Sequence, residues 1–269
     1  MIIGIDIGST TTKAVSIEKG RIVKKIKTRA EDAVTSATGA FGKMLLENGI
    51  KISEIERIMI TGAGATKIQG ELFGITTKKV SEISAIGTGA MFLSGQDNIV
   101  ITNIGTGTAI IEASKDRIIH LGGSGVGGGT IRGLAKKILS LSDFNVIMQL
   151  ASSGSLDPVD LLLEDIMSKD LSFLNNKSTA SNFGKMLDTA RNEDLALGII
   201  NMVYEVIGML AVFAARSRNI DRVIVTGSGS SNVLGQKVLS EITRMHSITF
   251  EYPSDAVYTT AIGAGLLSA

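Results

Sequence analysis

Cysteine is missing from this chain altogether, and histidine is confined to His120 and His246. The first absence excludes disulfides, thiolate catalysis, zinc–thiolate centres and cysteine-ligated iron–sulfur clusters. The second excludes a histidine-rich metal site. Excess charge is lacking too: 27 basic and 26 acidic residues leave a net charge of +1. That balance offers no electrostatic case for nucleic acid or an anionic membrane as a partner. The opening Met1-Ile2-Ile3-Gly4-Ile5-Asp6-Ile7-Gly8 has neither a basic lead nor a small-residue cleavage site. It does not read as a signal peptide, and a cytoplasmic enzyme is expected. Proline is scarce, at two residues, whereas glycine is abundant, at 31 of 269. With almost no low-complexity sequence, that glycine belongs in ordered turns between apolar strands, suited to wrapping a small ligand.

The segment 195–215 is apolar and long enough to span a bilayer. Asn201, Tyr204 and Glu205 lie at its middle, however, where an ionisable group in lipid is costly. Glu193 and Asp194 precede it and Arg216 and Arg218 follow, which matches a helix dipole. The expectation is a long buried helix that also packs against a second subunit.

The chain repeats itself. Ile5-Asp6-Ile7-Gly8-Ser9-Thr10-Thr11 and Thr102-Asn103-Ile104-Gly105-Thr106-Gly107-Thr108 each follow one apolar β-rich run and precede another. Each then reaches a charged turn and a third strand, so both segments read as strand, glycine hairpin, strand, turn, strand. A second pair of motifs recurs in the same order. Arg57-Ile58-Met59-Ile60-Thr61-Gly62-Ala63-Gly64 matches Arg222-Val223-Ile224-Val225-Thr226-Gly227-Ser228-Gly229, with helical sequence expected after each. Helical pattern also fills 30–47, 82–93, 130–141, 195–215 and 232–245. Two copies of one unit, facing each other, leave a cleft that their glycine hairpins enter from opposite sides. Such a cleft suits a polyphosphate.

Within the first hairpin, Gly8 bends the turn while Ser9, Thr10 and Thr11 offer hydroxyls and N–H donors. Lys13 adds a point charge, and Asp6 suits a hydrated Mg²⁺. The run Gly122-Gly123-Ser124-Gly125-Val126-Gly127-Gly128-Gly129-Thr130 leads into Ile131-Arg132-Gly133-Leu134. It is neither a Walker motif nor a dinucleotide fingerprint; it reads as backbone N–H groups approaching an anion at a helix N-terminus. Glu82 falls where a strand gives way to a helix. By position alone it is either a first-turn glutamate favoured by the dipole or a functional acid.

These residues carry a resemblance. Gly4-Ile5-Asp6, Gly8-Ser9-Thr10 and Lys13 are similar to the first phosphate loop of the superfamily of actin, sugar kinases and heat-shock ATPases. Asn103-Ile104-Gly105-Thr106-Gly107, the glycine run 125–133, Thr179-Ala180-Ser181-Asn182-Phe183-Gly184 and the helix 199–216 resemble type II pantothenate kinases. The similarity runs from Ile2 to Ala261-Ile262-Gly263-Ala264. It implies an α/β fold, the duplicated ribonuclease-H-like (actin-like ATPase) fold: two lobes, each a mixed central sheet flanked by helices, with the ligand cleft between them. The lobes are expected at 1–94 and 95–269, the second with a helical insertion at about 130–218. A C-terminal helix at about 256–269 is expected to pack back on the first.

The same resemblance implies a dimeric, Mg²⁺-dependent kinase that uses ATP to phosphorylate pantothenate, the first step towards coenzyme A, with acyl-CoA as an inhibitor. Asp6, Gly8, Ser9, Thr10, Thr11 and Lys13 would meet the nucleotide phosphates, with Asp6 on the metal through water. Thr106, Gly107, Gly128, Gly129, Thr130, Ile131 and Arg132 fall on the same ligand, and Phe144 and Ser228 near the nucleoside. Glu82 takes the place of the catalytic acid, and Thr106 and His120 lie beside the substrate. Members of the family carry an arginine at His120; histidine cannot supply the same bidentate grip on a carboxylate. Two readings of another kind stay open: a kinase for a different small alcohol, and a non-catalytic nucleotide- or acyl-CoA-binding regulator. The activator ATPases of 2-hydroxyacyl-CoA dehydratases share the first loop, but hold an iron–sulfur cluster through cysteines, which this chain lacks.

Overall fold

Both glycine hairpins form where the sequence places them, and each begins a five-stranded sheet. The computed structural model describes residues 1–29, 32–166 and 176–267. Residues 30–31 of the first expected helix, 167–175 of the insertion and 268–269 at the C-terminus lie outside the described residues. The first half runs β1 (Ile2–Ile7), β2 (Thr11–Glu18), β3 (Arg21–Arg29), α1 (Ala33–Asn48), β4 (Arg57–Thr61), β5 (Thr77–Lys79) and α2 (Glu82–Ser94). The second opens with β6 (Ile99–Ile104), β7 (Thr108–Ala113), β8 (Ile118–Ser124), α3 (Gly128–Leu139) and α4 (Phe144–Ala151). After β9 (Leu161–Leu162), α5 (Leu163–Ile166) and β10 (Thr179–Ser181) come α6 (Asn192–Ser217) and β11 (Arg222–Thr226). The chain ends with α7 (Val233–His246), β12 (Thr249–Glu251) and α8 (Thr259–Leu266).

The sheets have the order β3-β2-β1-β4-β5 and β8-β7-β6-β11-β12. In each, the three hairpin strands are antiparallel, the fourth strand pairs parallel with the first, and the fifth pairs parallel with the fourth. The repeat extends to single atoms. A Cβ on Gly62 would lie 2.6 Å from Asp6 Oδ1, and one on Gly227 would lie 2.8 Å from Asn103 Oδ1. Both glycines have positive φ, 86° and 82°, and turn the chain directly beneath the hairpin of their own sheet. The two copies differ after this turn. In the second, a short 3-10 turn passes into α7; in the first, the 3-10 turn Ala63–Lys67 leads through a loop to β5, so the helical continuation expected there is absent. Positive φ at Gly70, Phe73 and Gly74 breaks that stretch.

Apolar faces stack these elements in layers. Ile3, Ile5 and Ile7 pack on Phe41 and Met44 of α1, and the opposite face of the first sheet carries Val15 and Ile17 against Ala261 and Ile262 of α8. On the second sheet, Ile99, Ile101 and Ile111 pack on Ile86 and Ala90 of α2. Its far face meets α3, α4, α6 and α7 through Val100, Ile131, Ile147, Val203 and Leu239. Each half thus lends a helix to the other half's sheet. Those helices, α2 and α8, meet backbone to backbone: a Cβ on Gly263 would fall 1.7 Å from Ala85 O, and one on Gly89 2.1 Å from Thr259 O.

Helix α6 is the one described helix long and apolar enough to cross a membrane, and most of its apolar stretch is buried inside the protein. Its polar residues are satisfied there. Asn201 donates to Asp160 Oδ2 (2.9 Å), Tyr204 to Gly229 O (2.7 Å), and Glu205 accepts from Asn182 (2.8 Å). Asp160, fully buried, also accepts from Phe183 N and Thr179 Oγ1, tying the 179–184 segment to the helix.

Candidate active site

Register puts the first charged pair together. Asp6 on β1 faces Lys13 on β2, and Nζ of the lysine lies 3.3 Å from Asp6 Oδ2. Both side chains are buried, on the α8 side of the sheet. Burial is the largest influence on Asp6 and raises its carboxyl, against the pull of Lys13. Among the described residues, no side chain donates to Asp6 Oδ1.

Glu82 reaches the same place from another element. Ser81 caps α2 by accepting from Ser84 N (3.4 Å), so the glutamate begins the helix. Glu82 keeps solvent access, yet the surrounding protein raises its carboxyl, and the negative charge of Asp6 raises it further, while Lys13 opposes. Two carboxylates and a lysine therefore share one electrostatic neighbourhood at the mouth between the sheets.

The hairpin tips close over it. Ser9 Oγ lies 2.7 Å and Thr10 Oγ1 3.3 Å from Thr106 Oγ1. Gly8 and Thr11 complete the first turn, and Gly107 completes the second. The glycine run packs directly on the second hairpin. Gly128 N donates to Gly105 O (3.0 Å), Gly129 N to Thr106 O (2.8 Å), and the amides of Thr130 and Ile131 to Gly127 O. The α3 amides expected to meet an anion are thus engaged by the hairpin and by the helix's own first turn. The glycines are required because the two backbones touch: a Cβ on Gly127 would stand 2.6 Å from Thr106 O. The Ile131 side chain is buried in the second core, Thr130 Oγ1 bonds back to Gly125 O, and Arg132 is exposed.

Phe144 opens α4, which Asp143 caps by accepting from Asn145 N and Val146 N; Asp143 also pairs with Arg29 of β3 at 3.6 Å. Ser228 follows the turn at Gly227. His120 is exposed on β8, paired in register with Ile111 and on the same face as Ile118, which packs on Gly87 of α2. It stands about 13 Å along the strand from Ser124 at the hairpin end. One cation at the mouth is absent from the sequence candidates: Lys27 of β3, opposite Lys13. Its only sequence signal is the alternation Lys25, Lys27, Arg29.

Among the described residues, no cluster of three or more metal-ligating side chains exists. A magnesium ion needs no such cluster: it keeps waters and takes one or two carboxylates alongside the phosphates of its nucleotide. The uncapped Oδ1 of Asp6 fits that requirement.

Comparison with known proteins agrees with this architecture. Type II pantothenate kinases of Bacillus cereus and Bacillus anthracis are 33% and 34% identical over 97% of this chain and 95% of theirs. Among solved structures, the activator of the 2-hydroxyisocaproyl-CoA dehydratase from Clostridium difficile, with bound ADPNP, superposes with a TM-score of 0.71. It is 19% identical, with 99% of this chain and 93% of that one covered, so the likeness is one of fold, the actin-like ATPase fold. A family model described as Fumble matches residues 97–249. With its duplicated sheets, its paired glycine hairpins and these relatives, the chain belongs to the type II pantothenate kinase family.

Proposed function

We propose that this protein transfers the γ-phosphoryl group of ATP to the terminal hydroxyl of pantothenate, giving phosphopantothenate, with Glu82 as the general base. The observation that carries the reading is the buried Asp6–Lys13 pair beside two hairpins whose hydroxyls already touch, with Glu82 opening α2 near enough to feel both charges. Phosphoryl transfer asks chiefly for positioning, charge neutralisation and one group to orient the nucleophile. The hydroxyls of Ser9, Thr10 and Thr106 and the turns at Gly8, Thr11 and Gly107 would bind the phosphates. Arg132 adds charge from α3, with the first turn of α3 (Gly128, Gly129, Thr130) as the wall behind. Phe144 and Ser228 would flank the nucleoside. Asp6 would hold Mg²⁺ through water, and that ion supplies charge neutralisation on the phosphates. Glu82 would accept the hydroxyl proton as the oxygen forms its bond to phosphorus and the bond to ADP breaks. A carboxyl raised by its surroundings is the stronger base for this step.

The name of the relatives supports pantothenate as the alcohol, and His120, on the α2 side of β8, would lie beside it. A histidine grips a carboxylate less firmly than arginine does, which favours as second reading a kinase for a related small alcohol. We further propose a homodimer in which a second copy covers Val206, Met209, Leu210 and Phe213, the apolar stripe left on α6. Acyl-CoA is the proposed inhibitor. Sedimentation tests the first of these, and initial-rate kinetics with added acyl-CoA the second.

The test of the activity is ADP release with Mg·ATP and pantothenate, on the wild type and Glu82→Gln. Turnover that requires pantothenate and falls at least about a hundredfold in the variant, with ATP binding intact, supports the reading. A wild type that releases no pantothenate-dependent ADP overturns it. Turnover that survives the substitution removes Glu82 from its role.

A further inference from the structure

Strand β3 carries three cations at every second position, Lys25, Lys27 and Arg29, so all three lie on one face of the first sheet. That face looks towards the second half of the chain. Lys25 Nζ pairs with Asp255 Oδ1 at 2.5 Å, and Arg29 Nη2 with Asp143 Oδ2 at 3.6 Å. Both carboxylates come from the second half: Asp255 from the turn before α8, and Asp143 from the cap of α4. Lys27 stands between these two bridges, and no carboxylate of the described residues pairs with it.

Cross-strand register sharpens the point. Lys27 is opposite Lys13, and Lys13 is opposite Asp6, so three charges form one row across β3, β2 and β1. Lys13 is engaged by Asp6, which leaves the row with one uncompensated positive charge at its outer end. Partial burial, and then the charge of Lys13, both push the Lys27 ammonium below the ordinary lysine range. An edge-strand lysine that only discouraged strand pairing would have no reason to sit against a like charge. Adjacent like charges in a cleft are an arrangement that an anion relieves.

We propose that Lys27 is a second cation for the polyphosphate of the bound nucleotide, seated beside Lys13 between two interlobe ion pairs. The inference rests on the nucleotide site proposed above and adds a residue to it. Lys27 binds and positions phosphate; it takes no part in the proton transfer at Glu82.

The experiment is calorimetric titration of the full-length protein with ATP, ADP, AMP and adenosine, for the wild type, Lys27→Ala and Lys27→Arg. Thermal unfolding checks that each variant is folded. Loss of one charge-assisted contact predicts ATP binding about tenfold weaker in Lys27→Ala. The deficit should shrink through ADP and AMP and vanish with adenosine, and Lys27→Arg should restore most of it. In turnover the KM for ATP should rise about as much, with kcat changed less than threefold. ATP binding equal to wild type in Lys27→Ala overturns the proposal, and so does an equal loss for adenosine, which marks a structural role. If the wild type binds ATP but leaves pantothenate unphosphorylated, only the substrate reading falls, and the titrations still decide Lys27. A wild type that binds no ATP overturns both.

Discussion

Replacing Gly62 by alanine perturbs the fold and the candidate site at one atom. Gly62 has φ 86° and ψ 167°, a region that side chains other than glycine's scarcely enter, at about 1–3 kcal/mol. The added methyl would lie 2.6 Å from Asp6 Oδ1 and 2.8 Å from Ile7 O. A side chain yields to such a contact, but the carbonyl belongs to a central strand, and overpacking of this kind adds about 1–3 kcal/mol. The sum, about 2–6 kcal/mol, corresponds to a melting temperature lower by about 4–11 °C in a chain of this size. Gly227→Ala is the matched control, with φ 82° and its methyl 2.6 Å from Ile104 O and 2.8 Å from Asn103 Oδ1. Both variants should lose similar stability in thermal unfolding followed by circular dichroism. Only Gly62→Ala displaces the carboxylate proposed for the metal, so it alone should lose most of the Mg²⁺-dependent gain in ATP affinity. A Gly62→Ala melting within 1 °C of wild type, or equal losses of that gain in both variants, would refute the reasoning.

The pH profile of kcat should rise through a point above the ordinary glutamate range, because Glu82 must be ionised to accept a proton and its carboxyl is raised; residual turnover of Glu82→Gln should lack that limb. Asp160→Ala strips the acceptor from Phe183 N, Thr179 Oγ1 and Asn201 Nδ2 at a fully buried site, and should cost about 3 kcal/mol or more in denaturant titration. Asp194 is held down to about 2, first by its hydrogen bonds from Arg191. Its contribution is therefore present above the ordinary value of 3.8 and lost as pH falls to about 2. Asp194→Asn should lower stability by about 1–2 kcal/mol at neutral pH, and by little at pH 2, in parallel melts.

Much of the fold is readable in the sequence because the motifs are local. A strand, a glycine turn and a second strand specify themselves, so β1–β2 and β6–β7 are legible, as are α1, α2, α6 and α7 from apolar period and caps. The repeat of Gly62 in Gly227 is legible as a pattern, though its reason, a turn against Asp6 or Asn103, needs coordinates. The glycine run reads as an anion cradle, and nothing in 122–130 reveals that the 105–107 hairpin packs against it. Tertiary contact settles the partner of those amides. Lys27 escapes a sequence reading because its neighbour is set by the register of β2 with β3, which a bulge between Ser16 and Ile17 shifts. The three-residue strands β5 and β12 have too few residues to show a period.

The backbone contact between α2 and α8 governs how the cleft can open. Gly89 and Gly263 leave no layer of side chains along which the halves could slide, since each would place a Cβ about 2 Å from a carbonyl across the junction. Such close packing resists sliding of α2 along α8, so a cleft that opens would turn about the helix pair as about an axle. Rotation about it moves the strand ends beside the axle little and the distant hairpin tips most. The contact that such a swing would first break is the one between Ser9 and Thr106, so the entry and departure of a nucleotide held there would become the angular travel of two arms about a glycine bearing.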